Sequence, residues 1–214
     1  SVALAEGLSI YFGSEDGSIY SLAADTGEKK WAYKTSGKIS ASPVVGHNNS
    51  IVVGSGDNYL YCLNGRTGKL KWRTFLNGPV KSSAAIGPSG RIIVGGGDDK
   101  IYQLNPVDGS IVRRYKARGA IVSYPAVGKN GIIYFGSNDR RVYAVELNGE
   151  KVWSHQTSGK VALIDVPEAA PIAAKLDELG WTLTEIWLTH HHPDHIQGVP
   201  ALIADPPARV ISRY

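Results

Sequence analysis

A repeat of 41 residues runs through the first three quarters of the chain and constrains its fold more than any other feature. Gly13, Gly54, Gly95 and Gly136 follow one another at this interval. Around each glycine, short alternating runs such as "SIYSL" and "YLYCL" are separated by Gly/Asp turns. Each copy therefore predicts four short strands, and four strands in about 40 residues is the size of one propeller blade. We predict a mainly β chain in which residues 1–160 form four propeller blades of four antiparallel strands.

The turns and the tryptophans of the repeat indicate how the blades are built. "DTGE", "RTGK", "VDGS" and "LNGE" place glycine where a tight turn needs a positive φ. Trp31, Trp72 and Trp153 end the first, second and fourth copies, while Arg113 takes this place in the third. We expect each tryptophan to insert between neighbouring blades and to bury a large apolar area there.

These copies resemble the pyrroloquinoline-quinone-like β-propeller repeat, whose pattern is "Y-x-G-s-x-D-g-x-l-Y-a-l-d-x-x-T-G-x-x-x-W". The quinone enzymes of that family use a vicinal pair of cysteines, whereas Cys62 is the only cysteine here and lies in a strand-like run. We therefore expect no pyrroloquinoline quinone and a buried, structural Cys62. "GSG" at 54–56 and "GGG" at 95–97 recur in register before strands, which favours a structural over a phosphate-binding interpretation.

A half-ring of blades predicts self-association. Four blades are half of the eight-bladed ring that is common for this repeat, and an isolated half exposes two faces. We hypothesise that chains associate head to tail through their open blade edges, as a homodimer or a higher oligomer.

The sequence pattern changes at residue 161, from a period of two to a helical period. The predicted elements are a helix over 169–179, the strand "TEIWLT", a second helix over 196–204 and the strand "ARVISRY". We predict a short β-α-β-α-β extension over residues 161–214. Residues 162–166 fit either the inner strand of a fifth blade or the first strand of this extension.

The segment "THHHPDH", at 189–195, groups four potential metal ligands at the end of a predicted strand. Residues two apart at a strand end project to the same side, so His190 and His192 can hold one ion together. Asp194 and His195 can reach a neighbouring ion or hold a hydroxide. Paired zinc ions lower the pKa of a bound water and polarise a carbonyl, and thioester hydrolysis needs both effects.

Residues 161–214 resemble the glyoxalase II (hydroxyacylglutathione hydrolase) branch of the metallo-β-lactamase superfamily. The resemblance rests on "LIDVPEAAPIAAKLDELGWTLTEIWLTHHHPDHIQGVPAL" and on the hallmark T-H-x-H-x-D-H within it. It implies one or two zinc ions, with His190 and His192 on the first and Asp194 and His195 on the second. In an active enzyme Asp194 would be the catalytic residue. That family's later ligands include two further histidines, but the 19 residues after His195 contain none.

Together the two resemblances indicate a chimera of unrelated genes. We expect a non-catalytic, propeller-based binding or scaffold module that carries a truncated metal-binding α/β fragment. The alternative is a zinc-dependent thioester hydrolase of the glyoxalase II type, with its site completed by another chain. The propeller part suggests a periplasmic or cell-surface location, whereas the glyoxalase-like part suggests the cytoplasm.

Charge and hydropathy exclude two classes of partner. The net charge of +4 is mild and scattered, which predicts a solvated rim and no nucleic-acid surface. No apolar run is long enough to span a membrane. The chain starts at Ser1 and contains no methionine, so we expect a processed or trimmed product.

Overall fold

The computed structural model describes residues 2–5, 9–128, 130–157, 160–164, 182–188 and 209–212. The chain divides into two compact units, Ser1–His155 and Gln156–Tyr214. In the described residues nearly every regular element is a β-strand, as the repeat predicts.

The first unit consists of four antiparallel sheets of four strands each, which we number blade 1 to blade 4 in chain order. Blade 1 contains β1 (Val2–Ala5), β2 (Ser9–Gly13), β3 (Ser18–Ala23) and β4 (Lys29–Lys34). Blade 2 contains β5 (Val44–Gly46), β6 (Ser50–Gly54), β7 (Tyr59–Asn64) and β8 (Leu70–Phe75). Blade 3 contains β9 (Ala85–Ile86), β10 (Ile92–Gly95), β11 (Lys100–Leu104) and β12 (Ile111–Lys116). Blade 4 contains β13 (Ala126–Val127), β14 (Ile133–Ser137), β15 (Arg141–Val145) and β16 (Lys151–Gln156).

Successive strands pair in each blade, and the blades stack face to face around three hydrophobic clusters. Because blades 2 and 3 have a neighbour on both sides, their middle strands are buried on both faces. This is why β10 ("IIVG") is apolar throughout, and β6 ("SIVVG") is apolar after Ser50, instead of alternating. The predicted mainly β fold with four antiparallel blades is thus confirmed.

The periodic glycine of the repeat permits a close backbone approach. A Cβ atom at Gly54 would lie 2.5 Å from the carbonyl oxygen of Val80, in the segment that leads to blade 3. A Cβ atom at Gly95 would lie equally close to the carbonyl oxygen of Ile121, so Gly54 and Gly95 have a packing role, in agreement with the structural interpretation of "GSG" and "GGG". The turn glycines of "DTGE", "RTGK", "VDGS" and "LNGE" all have the predicted positive φ.

The second unit contains a parallel sheet of three strands, in the order β17 (Lys160–Ile164), β18 (Thr182–Leu188) and β19 (Arg209–Ser212). Both pairs of strands are parallel. The sequence left residues 162–166 open between two folds. Of these, 162–164 lie in β17 and therefore belong to the extension and not to a fifth blade, whereas 165 and 166 lie outside the described residues. The helices predicted over 169–179 and 196–204 lie outside the described residues.

No helix in the part of the chain that the structure describes has the length and apolar character needed to cross a bilayer.

Candidate functional site

The predicted metal ligands follow the middle strand of the parallel sheet. β18 ends at Leu188, so Thr189 and the "HHHPDH" segment come directly after its carboxyl end. Ligands of parallel α/β sheets bind at the carboxyl ends of strands, and this is a suitable place for a metal site. His190, His192, Asp194 and His195 themselves lie outside the described residues.

The propeller offers no alternative metal centre within its described residues. No group of three or more His, Cys, Asp or Glu side chains there could hold an ion. His47 and His155 are both exposed, as expected for loop and strand surface residues.

Each blade carries an aspartate and, four residues later, a tyrosine that donates to it. The pairs are Asp16–Tyr20, Asp57–Tyr61, Asp98–Tyr102 and Asp139–Tyr143. In blade 2, the Tyr61 hydroxyl donates to Oδ2 of Asp57 over 2.7 Å. The same oxygen accepts the backbone N–H of Ser36, in the segment leaving blade 1, over 3.0 Å. The aspartate thus ties its own blade to the preceding one, and Asp139 repeats this arrangement with the N–H of Arg118.

In these Asp–Tyr pairs, Tyr61 and Tyr143 have a raised pKa. Burial, followed by the hydrogen bond to Asp57, raises the pKa of Tyr61 to about 12. The same causes, with Asp139 as the partner, raise the pKa of Tyr143 to about 12. Both tyrosines therefore stay neutral and donate at physiological pH, and neither is suited to act as a general base.

Two tryptophans insert between blades as predicted. The indole N–H of Trp31 donates to the carbonyl of Gly65 over 2.7 Å, and that of Trp72 donates to Pro106 over 3.1 Å. Each indole lies against the turn glycine of the next blade. A Cβ at Gly68 would lie 2.7 Å from the Trp31 ring, and a Cβ at Gly109 would lie 2.4 Å from the Trp72 ring.

In blade 3, which lacks this tryptophan, a glutamine makes the equivalent hydrogen bond. The Leu147 carbonyl, at the repeat position of Gly65 and Pro106, accepts from Nε2 of Gln103 over 3.0 Å. Gln103 is buried, and its Oε1 has no partner among the described residues. The signal in the sequence is that Gln103 replaces the smaller Ser, Cys and Ala of the other copies, in the copy that has Arg113 in place of tryptophan.

The missing indole leaves an open cleft between blades 3 and 4. The cleft measures about 460 Å³ and is lined by Ile111, Val112, Arg113, Arg114, Asn148 and Gly149. Arg113 and Arg114 are both exposed at this cleft.

The single cysteine is inert. Cys62 is fully buried, and burial raises the pKa of its thiol above the ordinary value. A neutral, inaccessible thiol is neither a nucleophile nor a metal ligand, which confirms its predicted structural role.

One face of blade 1 is apolar and partly exposed. It lies on the side where a preceding blade would pack, and we call it the front face. It comprises Ile10, Phe12, Tyr20 and Leu22, all of which are partly exposed. The same positions in blade 2 are Ile51, Val53, Tyr61 and Leu63, and each of these is at most 2% exposed. The positions of blade 2 are buried because this face packs on blade 1.

Blade 4 presents the complementary surface, the back face, toward the side of a following blade. Its members are Tyr134, Val142 and Trp153. Val142 is 37% exposed, whereas Leu60, at the same position in blade 2, is 0% exposed. Trp153 is 44% exposed, against 8% for Trp72. The predicted insertion of a tryptophan at the end of every copy is therefore wrong for Trp153, because no described blade follows it.

Repeated blades, an Asp–Tyr pair in each blade and tryptophans inserted between blades characterise the first unit as a β-propeller of the pyrroloquinoline-quinone-like class. The family model described as outer membrane protein assembly factor BamB matches residues 15–86 and 81–178. These matches span more than half of the chain, and the chain belongs to this family.

A solved structure supports the same fold. BamB from Moraxella catarrhalis superposes with a TM-score of 0.62 at 22% sequence identity, over 73% of this chain and 47% of that chain. At this level of identity the likeness shows the propeller fold alone.

The end of the chain is similar to a second family. The metallo-beta-lactamase superfamily model matches residues 152–214. The hydroxyacylglutathione hydrolase of Ruegeria pomeroyi is 60% identical over 45 residues, which are 21% of this chain and 18% of that protein. That of Jannaschia sp. is 61% identical over 54 residues, which are 25% of this chain and 21% of that protein. The chain spans about a fifth of the length of these curated relatives.

Proposed function

We propose that this chain is a non-catalytic binding or scaffold module, built on a four-bladed propeller that carries a truncated metal-binding α/β fragment. The observation that supports it best is the pair of apolar faces on blades 1 and 4. Apolar surfaces of this kind mark places where another protein binds. The name of the matched family describes an outer-membrane protein assembly factor, and a role in holding other proteins fits that description.

Within this proposal the propeller segment covers residues 1–160 and the metallo-β-lactamase-like fragment covers 161–214, joined as a chimera. The family resemblance of the propeller favours the periplasmic side of the outer membrane over the cytoplasm that the hydrolase-like fragment suggests. Two chains, or more, associate through their open blade faces.

The metal part of the proposal assigns a zinc site to the segment after β18. His190 and His192 hold one ion, and Asp194 and His195 contribute to a second. The identity of 60% to a hydroxyacylglutathione hydrolase in this segment supports the ligand assignment, as does its place after the middle strand of a parallel sheet. When bound, zinc would supply Lewis acidity and an activated water.

The second candidate function is a zinc-dependent thioester hydrolase of the glyoxalase II type, in which another chain supplies the missing ligands. The same high local identity is the observation that favours it. In that case Asp194 is the catalytic residue. We rank it below the scaffold function because the matched segment is about a fifth of the hydrolases' length.

Metal content and thioester turnover together separate the two functions. The purified, extensively dialysed chain is assayed for zinc per molecule and for hydrolysis of a glutathione thioester, beside His190→Ala and the surface control His47→Ala. A scaffold with a metal site retains zinc that His190→Ala removes and His47→Ala does not, and it shows no turnover. Turnover that disappears in His190→Ala would establish the hydrolase instead. Absence of zinc from the wild-type chain would refute the metal assignment.

A further inference from the structure

We propose that Trp153 of one chain docks on the turn at Gly27 of a second copy, with its indole N–H donating to the carbonyl of Ala24. This inference rests on the proposed association of two chains and specifies the contact that drives it. Two copies joined in this way at both ends place eight blades in one closed ring.

The donor side of the contact is already arranged for docking. In blade 1 the Trp31 ring lies 5.7 Å from the ring of Tyr11, and this pair packs on blade 2. In blade 4 the Trp153 ring lies 6.0 Å from the ring of Tyr134, at the same repeat position as Tyr11. Trp153 therefore holds nearly the same place on its blade as Trp31, but it remains 44% exposed.

The turn at Gly27, which would receive the indole, is the counterpart of two turns that already hold one. The turn glycines that receive Trp31 and Trp72 are Gly68 and Gly109, and the repeat places Gly27 at the same position in blade 1. The φ angle of Gly27 is +70°, against +72° for Gly109, so the turn has the shape that accepts an indole. Among the described residues, no atom lies within 4 Å of the place that a Cβ would take at Gly27.

The hydrogen-bond acceptor follows from the same register. Gly65 and Pro106 accept the two indole N–H groups, and the corresponding residue of blade 1 is Ala24. In blade 1 the Tyr11 hydroxyl also donates to the Gly65 carbonyl, over 3.2 Å. Tyr134 can make the equivalent contact with Ala24 of the second copy.

The surrounding surfaces favour a second copy over an unrelated partner. The front face of blade 1 and the back face of blade 4 carry apolar side chains at repeat positions whose counterparts are buried between blades 1 and 2. Each chain exposes one of each. A copy of the chain therefore supplies both the missing tryptophan and the missing turn, in the geometry that the inner blades already use.

The first test is analytical ultracentrifugation of the whole chain over a range of concentrations. We expect a dimer of twice 22.9 kDa. Trp153→Ala is expected to weaken its dissociation constant by about tenfold or more, because a tryptophan that fills a pocket dominates an interface. Val152→Ala is the matched control: Val152 is 45% exposed on the same strand, but its side chain points to the opposite side of the sheet. It is expected to leave the dissociation constant unchanged. Circular dichroism checks that each variant is folded.

A second test uses complementary damage. In Gly27→Asn, the new side chain occupies the place on the turn where the Trp153 ring would lie, and asparagine tolerates a positive φ. This variant is expected to weaken the dimer as Trp153→Ala does. An equimolar mixture of the two variants regains one intact contact, between Trp153 of one and Gly27 of the other. The mixture is therefore expected to associate more tightly than either variant alone.

The outcomes separate this inference from the broader proposal. A dimer that is indifferent to Trp153→Ala and Gly27→Asn overturns the docking contact but leaves association through other surfaces standing. A wild-type chain that stays monomeric at the highest concentration overturns both. Neither result bears on the zinc site, which is tested by metal content.

Discussion

The Asp–Tyr pairs show how single residues hold adjacent blades together. Asp57 accepts a hydrogen bond from Tyr61 of its own blade and another from the Ser36 N–H of the segment before it. Charge-assisted bonds of this kind are stronger than neutral ones, and the bond from Tyr61 is partly buried. Their strength depends on a neutral, donating tyrosine.

Alkaline pH is therefore expected to weaken the propeller. The pKa of Tyr61 rises from 10.0 to about 12 on folding, so the folded state binds its proton more tightly than the unfolded state. This contribution to the free energy of unfolding is complete below pH 10 and is lost as the pH rises to about 12. Urea unfolding over this pH interval measures the loss.

Tyr61→Phe is expected to lower the free energy of unfolding by about 1 kcal/mol at neutral pH. It is also expected to reduce the alkaline loss, since phenylalanine does not titrate. The control is Tyr20→Phe, which removes the equivalent bond to Asp16 on the partly exposed front face. It is expected to lower the free energy of unfolding by less than Tyr61→Phe does. Parallel alkaline losses in the wild type and Tyr61→Phe would contradict the role given to this pair.

A comparison of two glycines isolates the contact with an inserted indole. Gly109 and Gly27 have almost the same φ, +72° and +70°. Alanine at either position costs about 1 kcal/mol for the left-handed conformation. Only Gly109→Ala also meets the Trp72 ring, at 2.4 Å, which adds about 1 to 3 kcal/mol. Urea unfolding of dilute, monomeric protein measures the free energy of unfolding of both variants. Equal losses would show that the Trp72 ring moves aside without cost.

At the scale of elements, the packing of each blade on the next depends on the side chain that its outermost strand directs toward that blade. β4 and β8 each contribute a tryptophan that bonds to the next blade. Blade 3 makes the corresponding bond with Gln103 from β11, one strand further in, and an open cleft remains where the indole would lie.

Trp72→Ala and Trp153→Ala test this difference at one repeat position. Trp72 is 8% exposed between blades 2 and 3, so its removal is expected to cost about 3 to 5 kcal/mol of the free energy of unfolding. Trp153 is 44% exposed, and its removal from the monomer is expected to cost about 0.5 kcal/mol. Chemical unfolding at low protein concentration measures both, and a Trp153 loss as large as that of Trp72 would show that its ring is buried in the monomer.

At the scale of the whole molecule, the chain combines two compact units of different construction. Antiparallel blades form the first and a parallel sheet lies in the second. Separate compact units commonly unfold in separate transitions, so we expect two in a calorimetric scan.

Zinc is expected to raise the temperature of only one of these transitions, that of the unit 156–214. At a free zinc concentration of about 100 times the dissociation constant, the stabilisation is about 2.7 kcal/mol. His192→Ala is expected to abolish the shift, while His155→Ala, an exposed histidine of the first unit, leaves it intact. If zinc raises the temperature of the propeller transition, the metal binds elsewhere in the chain. The same holds if the shift survives in His192→Ala.

Local patterns in the sequence determined most of the propeller. The 41-residue repeat predicts four blades and their strands, and its turn glycines have the predicted positive φ. Burial of Cys62 and the insertion of Trp31 and Trp72 follow from the same register. These features are predictable because turn chemistry and strand alternation act between neighbours in the chain. The metal motif is also local, and its four ligands are identified from the sequence as a hypothesis.

Other features were decided only by the tertiary structure, because they depend on residues far apart in the chain. The sequence at 162–166 suits either fold, and only the parallel pairing of β17 with β18 assigns its described residues, 162–164, to the second unit. Gln103 gains its role from a carbonyl 44 residues away. Trp153 has the same local sequence context as Trp31 and Trp72, yet it is exposed because no described blade covers it. A repeat specifies which surface each blade presents, but only the assembled fold decides whether that surface is covered.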